Sequence, residues 1–185
     1  MKKNKKNFLL FFLSIIFFGF LSLFIYKKTK KFFPKNSCKY SIEIRTVRGS
    51  SMEGLFAPGE EIKIAKGFYA CNEIKRGDVV VYNFSGNENP IIKNVKAVPG
   101  DLFALKEQEG SWTIEINGNN LKNSADELYL LGEKEHQMLS LYEKDYQGKI
   151  PPETYLILGN IPSGTMDSSR FGLVGKKDIL GKVIY

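Results

Sequence analysis

The chain has 185 residues, 43% hydrophobic and 25% charged, with two cysteines, one histidine and a formal net charge of +7. Eight of its 27 lysines and arginines lie in residues 1–31, where there is no Asp or Glu. The remaining 19 face 20 acidic residues, a net charge of −1. The basic excess is therefore confined to the amino-terminal end, and no domain-wide electrostatic footprint for nucleic acid exists. Two cysteines and one histidine do not make up a metal site, and nothing in the chain implies a cofactor.

Phe8 to Tyr26 is an uncharged, mostly apolar run, close to the roughly 20 residues that cross a bilayer as a helix. It lacks an Ala-x-Ala-like cut site before Lys27 and Lys28 and reads as a retained anchor rather than a cleaved leader. Four lysines precede it and four follow it, so the positive-inside rule gives no orientation. The lysines suit anionic head groups, which makes the lipid bilayer an expected partner. Residues 1–31 are then a tip and anchor, and residues 32–185 one domain large enough for a real core. Cys38 and Cys71 are either a disulfide, in an oxidising compartment, or two thiols.

Along that domain strand signals dominate. Tyr40 to Val47 alternates Tyr40, Ile42 and Ile44 against Ser41, Glu43 and Arg45, which predicts a half-buried strand with the apolar set inward. Further strands are expected at Glu61–Ala65, Val79–Phe84, Ile91–Val98 and Trp112–Ile116, then at Thr154–Leu158 and Leu180–Tyr185. Asn117-Gly118 is a two-residue hairpin signal, with Leu121 on the return. One helix is expected, from about Ser124 or Asp126 to Lys144. The fold class is mainly β, a folded sheet or barrel-like domain with one short helix, behind one transmembrane helix.

Two places carry chemistry. On a strand, the same-face neighbours of Lys93 are Ile91, Val95 and Ala97, so Lys93 is a lone charge on an apolar face. Burial there disfavours the ammonium and yields a neutral amine, a base near pH 7. The plainer alternative is a stem covering apolar surface while the head reaches water. Ser51 stands in Gly49-Ser50-Ser51-Met52, a loop after a strand. Its hydroxyl needs an adjacent base to become a nucleophile; otherwise it is a turn serine, and Ser50 competes for the role. His136 lies among Glu133, Lys134, Glu135 and Gln137 and reads as a solvated helical residue, so lysine is the better base.

In order along the chain come the apolar run, Ser51-Met52, Arg76-Gly77-Asp78-Val79-Val80-Val81-Tyr82, Ile92-Lys93, Val98-Pro99-Gly100-Asp101, Leu158-Gly159-Asn160 and Asp167-Ser168-Ser169-Arg170-Phe171-Gly172. This series resembles the type I signal peptidases of the Ser-Lys class. The resemblance implies a β-rich catalytic domain on the outer face of the cell membrane, with a single pass and a cytoplasmic amino terminus. It implies that Ser51 attacks the scissile carbonyl, that Lys93 takes its proton, and that the partners are precursor proteins with signal segments. It implies a lysine-orienting hydroxyl at Thr165, with Ser163 as competitor, and a structural ion pair between Asp167 and Arg170.

The chain departs from the family pattern at three places. Met52 is followed by Glu53-Gly54-Leu55-Phe56 where a proline and a threonine are usual; Gly54-Leu55-Phe56 resembles the conjugal-transfer, pilin-processing branch instead. Asn160 stands where an aspartate is usual, and Asp167-Ser168-Ser169-Arg170 has an extra serine. Gly49, two before Ser51, offers no side-chain hydroxyl for an oxyanion, a role left to Ser50. Leu55 and Phe56 are candidates for bilayer contact or for the core. The rival from another class is a catalytically silent, membrane-tethered β-domain that scaffolds a secretion or conjugation partner.

Overall fold

Short apolar runs cut by glycine and proline turns become eleven antiparallel strands in this computed structural model, which describes residues 39–84 and 89–185. The expected anchor, Phe8–Tyr26, lies outside the described residues, and among those described no helix is long and apolar enough to cross a membrane. The strands are β1 Ser41–Thr46, β2 Glu61–Lys66, β3 Val79–Tyr82, β4 Ile91–Ala97, β5 Phe103–Gln108, β6 Ser111–Ile116, β7 Asn119–Asn120, β8 Leu130–Leu131, β9 Thr154–Leu158, β10 Val174–Gly175 and β11 Ile179–Ile184. A seven-stranded sheet runs in the order β1-β2-β11-β3-β4-β9-β10, from one edge to the other without closing. Strands β5, β6, β7 and β8 form a smaller sheet centred on β6.

The large sheet is apolar on both faces, which is why β3 reads Val79-Val80-Val81 without alternation. Val79 and Val81 pack with Ile62, Ile64, Val183, Met52 and Phe56. Val80 packs with Val95, Ile157, Ile179 and Tyr69 in a second cluster. A third cluster joins the smaller sheet to β9 through Ile114, Ile116, Leu156 and Leu158. Phe56 is thus a core residue, and Leu55 is the exposed one of that pair.

Strand β1 corrects the expectation for its faces. Tyr40, Ile42 and Ile44 are 46%, 51% and 60% exposed. Glu43 and Arg45 instead lie opposite Ile64 and Ile62 of β2. The reason is pairing: Arg45 Nε donates to Glu43 Oε1 at 2.5 Å, so the charges cancel over the apolar residues of β2. The helix also differs. Helix α1 spans Glu133–Asp145, because Ser124 to Leu131 is used in turns and in β8, and Gly132 starts the helix. A second helix, α2, is the single turn Ser168–Phe171. Strand β5 was not anticipated; its partner β6 returns through Glu109 and Gly110, both at positive φ. The Asn117-Gly118 hairpin holds, with φ of 53° and 77° and Ile116 paired to Asn119.

Two of the sequence motifs meet at one buried carboxylate. Arg76 donates to both oxygens of Asp101, at 3.2 and 2.5 Å, and Asp101 also accepts from the Val98 N–H and the Asn117 amide. Burial pushes the Asp101 carboxyl up, and these donors together bring it below its ordinary value. This network fixes the chain on leaving β4, the strand that carries Lys93. Asp101→Asn should lower unfolding free energy by about 1–2 kcal/mol at pH 7. A depressed folded-state pKa stabilises above the unfolded-state pKa, and that stability is lost as pH falls through the folded-state value. Urea unfolding of both proteins at stepped pH should therefore show their difference shrinking towards acid.

Candidate active site

Two segments distant in sequence bring a hydroxyl and an amine together. After β1 the chain turns through Gly49, whose φ is +73°, into a tight turn closed by Glu53 N–H to Ser50 O at 2.8 Å and Phe56 N–H to Met52 O at 2.9 Å. The buried Met52 and Phe56 side chains pin this turn to the core. Ser51, between exposed Ser50 and buried Met52, is half-buried. On β4 the expected alternation holds, with Lys93, Val95 and Ala97 buried. Lys93 is 2% exposed, so its head does not reach water as the plainer alternative required.

The Lys93 Nζ lies 2.9 Å from Ser51 Oγ and 2.8 Å from the carbonyl oxygen of Ile92, to which it donates. Burial pulls its pKa down to about 8, and the Asp167 carboxylate, acting in the opposite direction, only partly offsets this. At pH 7 about a tenth of the molecules then carry the neutral amine. That amine can accept a proton across the same 2.9 Å contact.

A supporting layer stands behind the pair. Asp167 Oδ2 accepts from the Gly159 N–H at 2.9 Å and from the Thr165 hydroxyl, while Oδ1 accepts from the N–H and hydroxyl of Ser169. A Cβ on Gly159 would fall 2.7 Å from the Ser51 carbonyl oxygen and 2.8 Å from both Cγ2 and Oγ1 of Thr165. Only glycine lets these three segments meet. The expected ion pair between Asp167 and Arg170 is not what forms. Asp167 caps α2 through the Ser169 N–H, and Arg170 lies 3.4 Å from Glu135 instead, because the Ser169 N–H and hydroxyl, the Gly159 N–H and the Thr165 hydroxyl already occupy the Asp167 carboxylate. Ser163 is exposed and shares with Thr165 a small cavity of about 80 Å³.

Asn160 is the residue whose role the sequence did not disclose. It is buried, and its N–H and side-chain amide make two hydrogen bonds to the Ser51–Glu53 turn and two to Ser124. Its N–H donates to Ser51 O at 2.7 Å, and its Nδ2 donates to both Glu53 O and Ser124 Oγ at 2.7 Å. Its Oδ1 accepts from the Ser124 N–H at 3.1 Å. Gly54 lies against it, since a Cβ there would approach Nδ2 to 3.0 Å. The two departures at Gly54 and Asn160 are therefore one feature: the amide supplies donors to the loop that a carboxylate lacks. The signal was Asn160 itself, which a single sequence could not connect to Glu53.

His136 is stacked on Trp112, with ring centroids 3.6 Å apart, rather than solvated. Cys71 is disulfide-bonded, and Cys38 lies outside the described residues.

A groove of about 400 Å³ opens at the pair. Its walls are residues 45–49, Ser51 and Met52 on one side and residues 89–93 on the other, with Ile64 and Val81 between.

A family model described as signal peptidase, peptidase S26, matches residues 36–185. The chain is similar to signal peptidase IB of Staphylococcus aureus strain COL, with 28% identity over 158 residues, 80% of this chain and 78% of the relative. It is similar to signal peptidase I P of Bacillus subtilis subsp. natto, with 28% identity over 146 residues, 77% of this chain and 74% of the relative. The solved structure of a signal peptidase I from Enterococcus faecalis V583 overlaps at a TM-score of 0.41 and 22% identity, over 60% of this chain and 97% of that one.

Two outcomes follow from the geometry. The folded-state pKa of Lys93, about 8, lies below its ordinary 10.5, so between those values the unfolded chain binds more protons and stability rises with pH. Lys93→Met should raise the melting temperature most below pH 8 and lose that advantage towards pH 10.5. Asn160→Asp should cost about 1–3 kcal/mol in urea unfolding and speed amide hydrogen exchange at residues 51–56.

Proposed function

The chain belongs to the signal peptidase, peptidase S26, family, and we propose that it removes amino-terminal signal segments from precursor proteins by a Ser51–Lys93 dyad. As a family member it is a signal peptidase I-like serine endopeptidase. The observation that carries the dyad is the 2.9 Å contact between a buried lysine amine and Ser51 Oγ.

In this mechanism the neutral Nζ of Lys93 takes the Ser51 proton as Oγ attacks the scissile carbonyl. The Ile92 carbonyl holds the amine in place by accepting one of its N–H groups. The oxyanion is met by the backbone N–H of Ser51, a preorganised donor; the Glu53, Leu55 and Phe56 N–H groups are engaged within the turn. The ammonium of Lys93 then protonates the leaving amine, and the acyl ester on Ser51 is hydrolysed by a water that Lys93 deprotonates. Thr165, whose hydroxyl proton goes to Asp167, keeps acceptor lone pairs beside the Ser51 backbone. Lys93 Nζ bonds to Ser51 Oγ and the Ile92 carbonyl and not to Thr165, so we assign Thr165, held by Asp167, an indirect part in orienting Lys93 through the Gly159–Ser51 contact it packs against.

The substrate enters as an extended strand. β1 is the end strand of its sheet, and the pairing of β4 with β9 begins at Asn94, after Lys93. Both groove walls thus offer backbone to a peptide. Val47, Met52, Ile64, Val81 and Ile92 give it an apolar lining, suited to small apolar side chains before the cut. In this reading Phe8–Tyr26 anchors the chain in the cell membrane, with residues 1–31 as tip and anchor and residues 32–185 as the extracytoplasmic domain. Exported or conjugation-related precursors, themselves in the bilayer, then meet the site by two-dimensional encounter.

Detergent-purified full-length protein should cleave a panel of such precursors, with Ser51→Ala and Lys93→Met each losing at least about 10³-fold in rate and Ser50→Ala remaining active. The acid limb of the pH–rate profile should lie near 8, the value for Lys93. Equal cleavage by folded Ser51→Ala would refute the dyad; a wild type inert on the whole panel would favour the silent scaffold.

A further inference from the structure

Among the described residues that line the groove, the charged ones are Arg45, Arg48 and Lys93; none is acidic. Their situations differ. Lys93 is buried and its amine is turned to Ser51. Arg45 is neutralised locally, its Nε on Glu43 Oε1 at 2.5 Å. Arg48 is exposed and its Nη1 donates to Asn89 Oδ1 at 3.1 Å, a neutral acceptor. Asn89 belongs to the opposite wall, so this bond joins the two sides of the groove at its mouth. The guanidinium there keeps its full charge and four further N–H donors.

We propose that Arg48 is a specificity-determining residue, selecting precursors that carry Asp or Glu within about three residues of the cut bond. The inference rests on reading the groove as the substrate channel. Arg48 is three residues before Ser51, and a peptide lying extended beside residues 45–49 brings its own side chains past Arg48 at that offset. A substrate carboxylate takes the place of the Asn89 amide oxygen and converts a neutral-acceptor bond into a charge-assisted, bidentate one. A lysine at the same place meets Arg48 and, among the described lining residues, no carboxylate to receive it, and is rejected. The apolar lining selects by size; Arg48 adds selection by charge.

The test uses the full-length protein in detergent and internally quenched peptides built on one cleaved precursor. The peptides differ only in carrying Glu, Gln or Lys at each of the three positions on either side of the cut. At one position kcat/KM for Glu over Gln should be roughly two- to fivefold in favour of Glu, the size of one screened ion pair. The preference should fade at high salt. Because each ratio is taken within one enzyme, general losses of activity cancel. Arg48→Gln should bring the ratio to one, Arg48→Glu should invert it in favour of Lys, and Arg45→Gln should preserve it. A wild-type ratio of one at every position, or a ratio that survives both Arg48 variants, overturns the inference while leaving the peptidase reading intact. A wild type that cleaves none of the peptides nor the parent precursor overturns both.

Discussion

The constraint on which this structure turns is an amine kept out of water. A lysine head in solution is charged far above neutral pH, and only burial brings it towards the range where it can act as a base. Here the β4 alternation places Lys93 with Val95 and Ala97 on the buried side, and the large sheet is covered on both faces. The desolvated amine is satisfied by two oxygens, Ser51 Oγ and the Ile92 carbonyl. Asp167 opposes the shift by favouring the ammonium. The balance leaves the group poised between the two protonation states that a base, and later an acid, must visit.

Holding the serine against that amine is a separate problem, because the serine lies on a loop. The loop is anchored from below by Met52 and Phe56 in the core. It is fixed from the side by the segment after β9. Gly159 permits close approach, and Asn160 binds the carbonyls of Ser51 and Glu53 at 2.7 Å each. Gly54 and Asn160, both departures from the expected family pattern, are neighbours in space and fit one another. Asp167 does the equivalent work for Thr165 and the start of α2.

The same arrangement explains the groove. A strand at the end of a sheet and another that is only partly paired face each other across a space of about 400 Å³. Such edges are hazards in most proteins because they invite pairing; beside Ser51, under the proposed function, they are the places where a peptide pairs. The inverted β1 belongs to this picture. Its charged residues Glu43 and Arg45 face the β2 residues beneath the groove, and its isoleucines face outward.

Much of this was legible in one dimension. The alternation of β4 singled out Lys93, turn chemistry marked Asn117-Gly118, and β2, β3, β6, β9 and β11 fall within two residues of their expected bounds. These are local properties, since period-two burial and positive φ are written in adjacent residues. Strand β5 escaped because its second half, Lys106-Glu107-Gln108, is exposed and carries no alternation. The start of α1 escaped because β8 is only two residues long and exists through pairing with β6. The face of β1 was read backwards because an ion pair, not an apolar stripe, covers β2. By itself, then, the sequence determined which residues could be strand, turn, nucleophile and base. Tertiary structure alone decided that Ser51 and Lys93, 42 residues apart, share a proton-transfer distance, that Arg170 serves Glu135, and that Asn160 clamps the loop. Each of those depends on where non-adjacent strands come to rest, and no local pattern encodes a distance between them.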